Sequence, residues 1–257
     1  MNKCLIFCLS VLLAVCSCSA ENSEFASTPA TEDSMTNYEA GDCTIGDTTL
    51  YYRYAEINPR EDATPIVVLV LHGGPLKGSD NESQLKEAAV DSVVYYLVKK
   101  KITAVLLVPQ CPQKDAAGHQ ISWTSFTHVL YELVKRYKTS DNTPCYIFGA
   151  SIGGVGTWKM LSEYPTLFTA AMPCAADPTS YDVASMTHAK IYTVMGSEDT
   201  WASLAKIPIQ NYVSGINALG GDCRLDIING WDHVATCEGS FSTERLDWIF
   251  TPSTIIH

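Results

Sequence analysis

Tyr146-Ile147-Phe148-Gly149-Ala150-Ser151-Ile152-Gly153-Gly154 is a short apolar run that ends in Gly-x-Ser-x-Gly and passes at once into a helical pattern. The apolar run reads as a buried strand. Gly-x-Ser-x-Gly at such a junction describes a sharp strand-to-helix turn that lifts the serine hydroxyl into solvent. Gly149 and Gly153 flank Ser151 because backbones meet closely in this turn, where a Cβ would clash. Gly154 lets the following helix pack near the sheet. Ile152 offers a backbone N–H at a helix start, where donors are unpaired and the dipole end is positive, so an oxyanion fits there.

Working outward, Thr48 to Ile57 alternates and is rich in tyrosine, which predicts a first, antiparallel edge strand. Pro65 to Leu71 is a β-branched run of the kind buried on both faces, and it ends in His72-Gly73-Gly74-Pro75. Ser79 to Glu82 reads as a capping box ahead of a helix carrying Leu85, Ala89, Val93 and Leu97. Ile102 to Val108 is another buried strand. Phe126, Val129, Leu130, Leu133, Val134 and Tyr137 line one face of a second helix. After the helix behind Ser151, strands are expected over Phe168 to Cys174, Ala189 to Met195 and Cys223 to Ile228. A helix is expected from Pro208 to the stop at Gly220-Gly221, and a closing one over Ser242 to Phe250. Strands alternating with helices make a doubly wound, mainly parallel sheet, with ligands bound beyond the carboxyl ends of its strands.

Gly149-Ala150-Ser151-Ile152-Gly153-Gly154-Val155-Gly156-Thr157-Trp158, then Tyr164-Pro165 and Phe168, resemble the secreted esterases and predicted peptidases of the α/β-hydrolase superfamily, near the feruloyl-esterase, dienelactone-hydrolase and prolyl-oligopeptidase groups. Val108-Pro109-Gln110-Cys111-Pro112 followed by Trp123 resembles the same branch. The resemblance covers roughly Thr48 to Phe250. Ile152 stands where many relatives carry Met, a departure that leaves the backbone donor unchanged. The resemblance implies an α/β-hydrolase fold with helices on both faces of the sheet. It also implies a second oxyanion donor from a backbone N–H near Gly73 or Gly74, with Gly74 preferred. His72 precedes the nucleophile and is expected to orient that loop rather than act as a base.

A serine hydroxyl needs an imidazole to take its proton and a carboxylate to hold that imidazole. In this fold the chain order is Ser, Asp or Glu, then His. Ser151, Asp199 and His233 fit it: Asp199 lies just past a strand end, and His233 lies in the loop after the last strand. Asp177, Glu198 and Asp232 are rival acids. His188 follows Ser151 but precedes Asp199, while His119 and His128 precede the nucleophile. Few residues separate the last four strands from their helices, so no large lid is expected. Trp123, Trp201 and Trp231 are candidates to line an open cleft, although a buried anchor serves Trp123 equally well. Aromatic walls suit a sugar ring or an aromatic acyl group.

The reading is therefore a serine hydrolase acting on carboxylic esters, with acetyl or feruloyl groups on carbohydrate as the preferred substrates. The alternatives are a peptidase of prolyl-oligopeptidase type, for which no propeller precedes the domain, and a non-catalytic glycan-binding lipoprotein. No P-loop, dinucleotide fingerprint or zinc signature occurs, so no cofactor and no metal are expected.

The chain has 257 residues, of which 46% are hydrophobic and 18% charged, enough for one domain with a substantial core. Its net charge of −11 argues against nucleic acid or anionic membranes as partners. Lys3, the apolar run Leu5 to Val15 and the small residues after it read as an export leader. Three processing routes are open: lipid attachment at Cys18, which is preferred, lipid attachment at Cys16, or cleavage after Ala20. Residues 1–18 are thus read as leader, 19–45 as a flexible polar tether and 46–257 as the catalytic domain. The expected location is periplasmic or anchored to the outer membrane through an N-terminal lipid, otherwise secreted. Cys43, Cys111, Cys145, Cys174, Cys223 and Cys237 remain after the leader, an even count that allows up to three disulfides. Cys111 and Cys174 are the one suggested pair, with buried free thiols as the alternative.

Overall fold

The apolar runs assemble into one sheet of eight strands. The protein is described by a computed structural model covering residues 36–115, 117–178, 181–201 and 209–251, so the leader, Cys18 and most of the tether lie outside the described residues. The strands are β1 (Glu39–Ile45), β2 (Thr48–Ile57), β3 (Ile66–Leu71), β4 (Ala104–Pro109), β5 (Cys145–Ala150), β6 (Ala170–Cys174), β7 (Lys190–Gly196) and β8 (Asp222–Ile228). Their order in the sheet is β1-β2-β4-β3-β5-β6-β7-β8; β2 runs antiparallel to both β1 and β4, and every pairing from β4 through β3 to β8 is parallel.

Parallel strands need helical crossovers, and these cover both faces. The helices are α1 (Ala88–Lys100), α2 (Thr127–Tyr137), α3 (Ile152–Glu163), α4 (Ile209–Ala218), α5 (His233–Gly239) and α6 (Thr243–Phe250). Side chains alternate across the sheet. Leu69, Leu71, Leu107 and Ile147 therefore point into one core, with Leu130 and Leu133 of α2, Trp158 of α3 and Ile216 of α4. Val68, Val70, Leu106 and Phe148 point into the other, with Val93 and Leu97 of α1 and Leu246 and Ile249 of α6. The central strands β3, β4 and β5 are buried along almost their whole length.

Three expectations are corrected. The tether does not reach residue 45: Glu39–Ile45 pairs along its full length with β2, so β1 is the edge strand and β2 is the second. Ser79 to Glu82 is no helix cap. Asp80 accepts the amides of Glu82 and Ser83, each at 3.0 Å, and shapes a short 3-10 turn, so α1 begins only at Ala88. The six cysteines are free thiols. β4, which ends just before Cys111, and β6, which carries Cys174, are separated by β3 and β5, about 14 Å at the usual strand spacing. The two thiols also lie in different cores, so they cannot bridge.

Candidate active site

The junction of β5 and α3 is bent as the glycine spacing requires. Ser151 sits between them at φ 56°, ψ −124°, a left-handed backbone that a residue with a side chain adopts only under strain. A Cβ on Gly149 would come within 2.4 Å of Gly153 O, and one on Gly153 within 2.0 Å of Leu71 O. Only glycine allows those approaches. The turn is tied to β6 by the Ser151 amide, which donates to Cys174 O at 3.1 Å.

The acid and the base arrive on neighbouring loops. Asp199 follows β7 in a tight turn, its amide donating to Gly196 O at 3.2 Å. His233 is the first residue of α5, and Asp232 caps that helix by accepting the Ala235 amide at 2.8 Å. The Glu198 amide donates to Trp231 O at 2.9 Å and so joins the two loops. His233 Nδ1 lies 3.0 and 2.9 Å from the two carboxylate oxygens of Asp199, and His233 Nε2 lies 2.9 Å from Ser151 Oγ. A carboxylate can only accept, so Nδ1 carries the proton and Nε2 is left as the acceptor for the serine hydroxyl. The Asp199 side chain has no solvent exposure and that of His233 has 19%, so the network is closed from behind and open towards solvent at the imidazole. The structure thus brings Ser151, Asp199 and His233 into one hydrogen-bonded chain. Two of the rivals stand elsewhere: Asp232 is a helix cap, and His188 precedes the amino end of β7, across the sheet from Ser151.

Beside the serine, two backbone N–H groups begin helical turns and have no partner within them: Ile152 at the start of α3 and Gly74 at the start of the 3-10 turn Gly74–Leu76. The Gly73 N–H is engaged, donating to Glu87 Oε2 at 2.7 Å. Of the two glycine amides, that of Gly74 is therefore the one without an acceptor among the described residues.

This sheet order, with helices on both faces and a serine turn after β5, decides the architecture. The fold is the α/β-hydrolase fold. Solved structures share it. A thermostable esterase superposes with a TM-score of 0.68 at 22% identity, covering 83% of this chain and 62% of that one. The feruloyl esterase module from Clostridium thermocellum, complexed with sinapinate, gives 0.63 at 12% identity, covering 86% of this chain and 90% of that one. An acylaminoacyl peptidase gives 0.60 at 14% identity, covering 87% of this chain and 43% of that one. The chain thus spans less than two thirds of the length of the thermostable esterase. No protein-family model matches the sequence. No curated protein matches it either.

On this α/β-hydrolase frame the three tryptophans part company. Trp123 is fully buried, and its indole N–H donates to His72 O at 2.9 Å, so it is an internal anchor and not a cleft wall. A Cβ on Gly239 would come within 2.4 Å of the Trp231 ring, so that ring packs at the far end of α5 from His233. Trp201 alone faces the site: it is 82% exposed, and its ring stacks on that of His233 at 5.7 Å between centroids.

Two buried titratable groups flank the Gly73-Gly74 loop. His72 is buried, and the cost of charging it there holds its imidazole down at about 4, so it is neutral at physiological pH. Glu87 is 6% exposed, and burial lifts its carboxyl to about 7 despite the bond from the Gly73 amide. No motif in the sequence marks Glu87. A helix opened by a capping box at Ser79 to Glu82 would hold Glu87 in its interior; it is instead the N-cap residue of α1, and its side chain makes no cap bond and turns inward to Gly73.

Proposed function

We propose that the chain is a serine hydrolase that cleaves carboxylic esters through an acyl-enzyme on Ser151. The observation that carries this reading is the unbroken chain from Ser151 Oγ to His233 Nε2 and from His233 Nδ1 to Asp199. Ser151 Oγ attacks the ester carbonyl carbon while its proton passes to His233 Nε2, and Asp199 stabilises the resulting imidazolium. Negative charge builds on the carbonyl oxygen, held by the amides of Ile152 and Gly74. Losing one such donor costs about 3 kcal/mol of transition-state stabilisation. The tetrahedral species collapses, and the alcohol leaves with the proton from His233. Water then attacks the acyl-enzyme, giving a proton to the same nitrogen; the C–Oγ bond breaks as that proton returns to Ser151 Oγ, and the carboxylic acid departs.

The acyl groups we favour are acetyl or feruloyl on carbohydrate. The exposed Trp201 ring beside His233 supports this, since a flat aromatic face suits a sugar or a phenolic acid. Export through the N-terminal leader, with lipid on Cys18, is part of the same proposal. The test is a panel of p-nitrophenyl acetate, acetylated and feruloylated sugars, and peptides. Ester turnover is expected, with Ser151→Ala lowering it by ~10³-fold or more. Turnover of peptides alone would reassign the site to a peptidase. No turnover of any substrate, with Ser151 unlabelled by a fluorophosphonate, would leave a binding protein on a hydrolase fold.

A further inference from the structure

Gly73 lies between two buried titratable side chains. His72 Nδ1 is 2.7 Å from Gly73 O, and His72 Nε2 is 2.9 Å from the Cys111 amide nitrogen. That amide can only donate, so Nε2 accepts, Nδ1 carries the proton, and Nδ1–H donates to the Gly73 carbonyl. On the other side, the Gly73 N–H donates to Glu87 Oε2 at 2.7 Å. A peptide group is planar and trans, so its C=O and N–H point in opposite directions. The Gly73 carbonyl and the Gly74 N–H are two ends of one such group. Holding the carbonyl with His72, and with the Leu76 amide at 3.3 Å, therefore sets where the Gly74 N–H points. Holding the Gly73 N–H with Glu87 fixes the preceding peptide group and removes a competing donor. Gly73 has no side chain to restrict its dihedrals, so these bonds do the restricting. The loop they shape lies against the serine turn: a Cβ on Gly73 would sit 3.9 Å from Ala150 O.

We infer that His72 and Glu87 are positioning residues that together aim the Gly74 N–H at the developing oxyanion, one holding each peptide group that flanks Gly73. The inference rests on the ester-hydrolase reading of this site. Packing alone does not account for Glu87. A leucine of similar size would fill the space without the cost of burying a carboxyl, so what the carboxyl adds is its bond to Gly73.

The experiment compares wild type, Glu87→Leu and Glu87→Gln on an ester that the wild type hydrolyses, with folding checked by thermal denaturation. Glu87→Leu is expected to lower kcat about ten-fold or more, with KM held within about two-fold, because a misaimed donor is missed only in the transition state. A boronic acid, whose tetrahedral serine adduct places an oxygen in the same hole, should lose affinity by a similar factor. Glu87→Gln keeps an acceptor oxygen and should recover the larger part of kcat. A folded Glu87→Leu with wild-type kcat, or a Glu87→Gln no better than Glu87→Leu, overturns the inference while the ester-hydrolase reading stands. A wild type inactive on every ester brings down that reading and this inference with it. Should Glu87→Leu not fold, amide exchange of the wild type decides by NMR: Gly73 protected and Gly74 fast is expected, and Gly73 exchanging as fast as Gly74 overturns it.

Discussion

Asp199 presents both carboxylate oxygens to one imidazole N–H, and its Oδ1 also accepts the Trp201 amide at 2.9 Å. An asparagine there keeps the shape but replaces one acceptor with an NH2. That NH2 faces either the Trp201 amide or the imidazole. In the second case the ring changes tautomer, and Nε2–H then meets Ser151 Oγ with no lone pair to take its proton. The expected result for Asp199→Asn is a fall in kcat on the order of 10⁴-fold, with a melting temperature close to wild type. Steady-state kinetics beside a thermal melt measure both. A loss below ten-fold would move the orienting role to another carboxylate, with Asp177 and Glu198 the first to test.

At the level of the element, the β5–α3 turn is held by contacts that no side chain can relax. The Cβ of Gly153→Ala would meet Leu71 O at 2.0 Å, Leu71 C at 2.8 Å and His72 O at 3.0 Å, all backbone atoms. Relief requires α3 to shift off the end of β3, which carries the Ile152 N–H out of place. Gly153→Ala should therefore lose about 1–3 kcal/mol of stability and at least ten-fold in kcat. Gly74→Ala is the matched control for stability, since a Cβ there meets nothing within 4 Å. Equal melting temperatures for the two variants would refute the steric account.

This turn was legible in the sequence because its signal is local: glycine spacing, an apolar strand before it and a helix after it. The strand-end placement of Asp199 and His233 was legible for a related reason, since topology delivers loop residues to one edge. β1 was not legible. Only Cys43 of its seven residues is fully buried, so its composition reads as tether, and its pairing with β2 is a tertiary fact. Trp123 was undecided because either role suits a tryptophan near a strand end, and only the bond from its indole N–H to His72 O settles it. Glu87 was missed because nothing in the chain between it and Gly73 shows that the two meet.

For the whole molecule, the buried Glu87 makes stability depend on pH in a direction unusual for a carboxyl. Paired carboxylates generally have lowered pKa values and stabilise a fold as pH rises. Here burial lifts the group from 4.5 to about 7, so the folded state holds a proton that the unfolded chain has released. The contribution is full below pH 4.5 and is lost as pH rises through about 7. At about 1.4 kcal/mol per pKa unit, the loss is about 3 kcal/mol, a sizeable part of an ordinary domain's stability. His72 acts in the opposite sense: its imidazole is lowered to about 4, so its contribution is present above 6.5 and lost as pH falls through about 4. His72 is common to wild type and Glu87→Gln, so it cancels between them. The melting temperature of Glu87→Gln relative to wild type should therefore climb between pH 4.5 and pH 8, by roughly 6–12 °C for a domain of this size. Paired thermal melts across that range measure it. A difference that stays flat would show that Glu87 ionises freely in the folded protein, and the carboxyl could not then be as dry as its 6% exposure makes it.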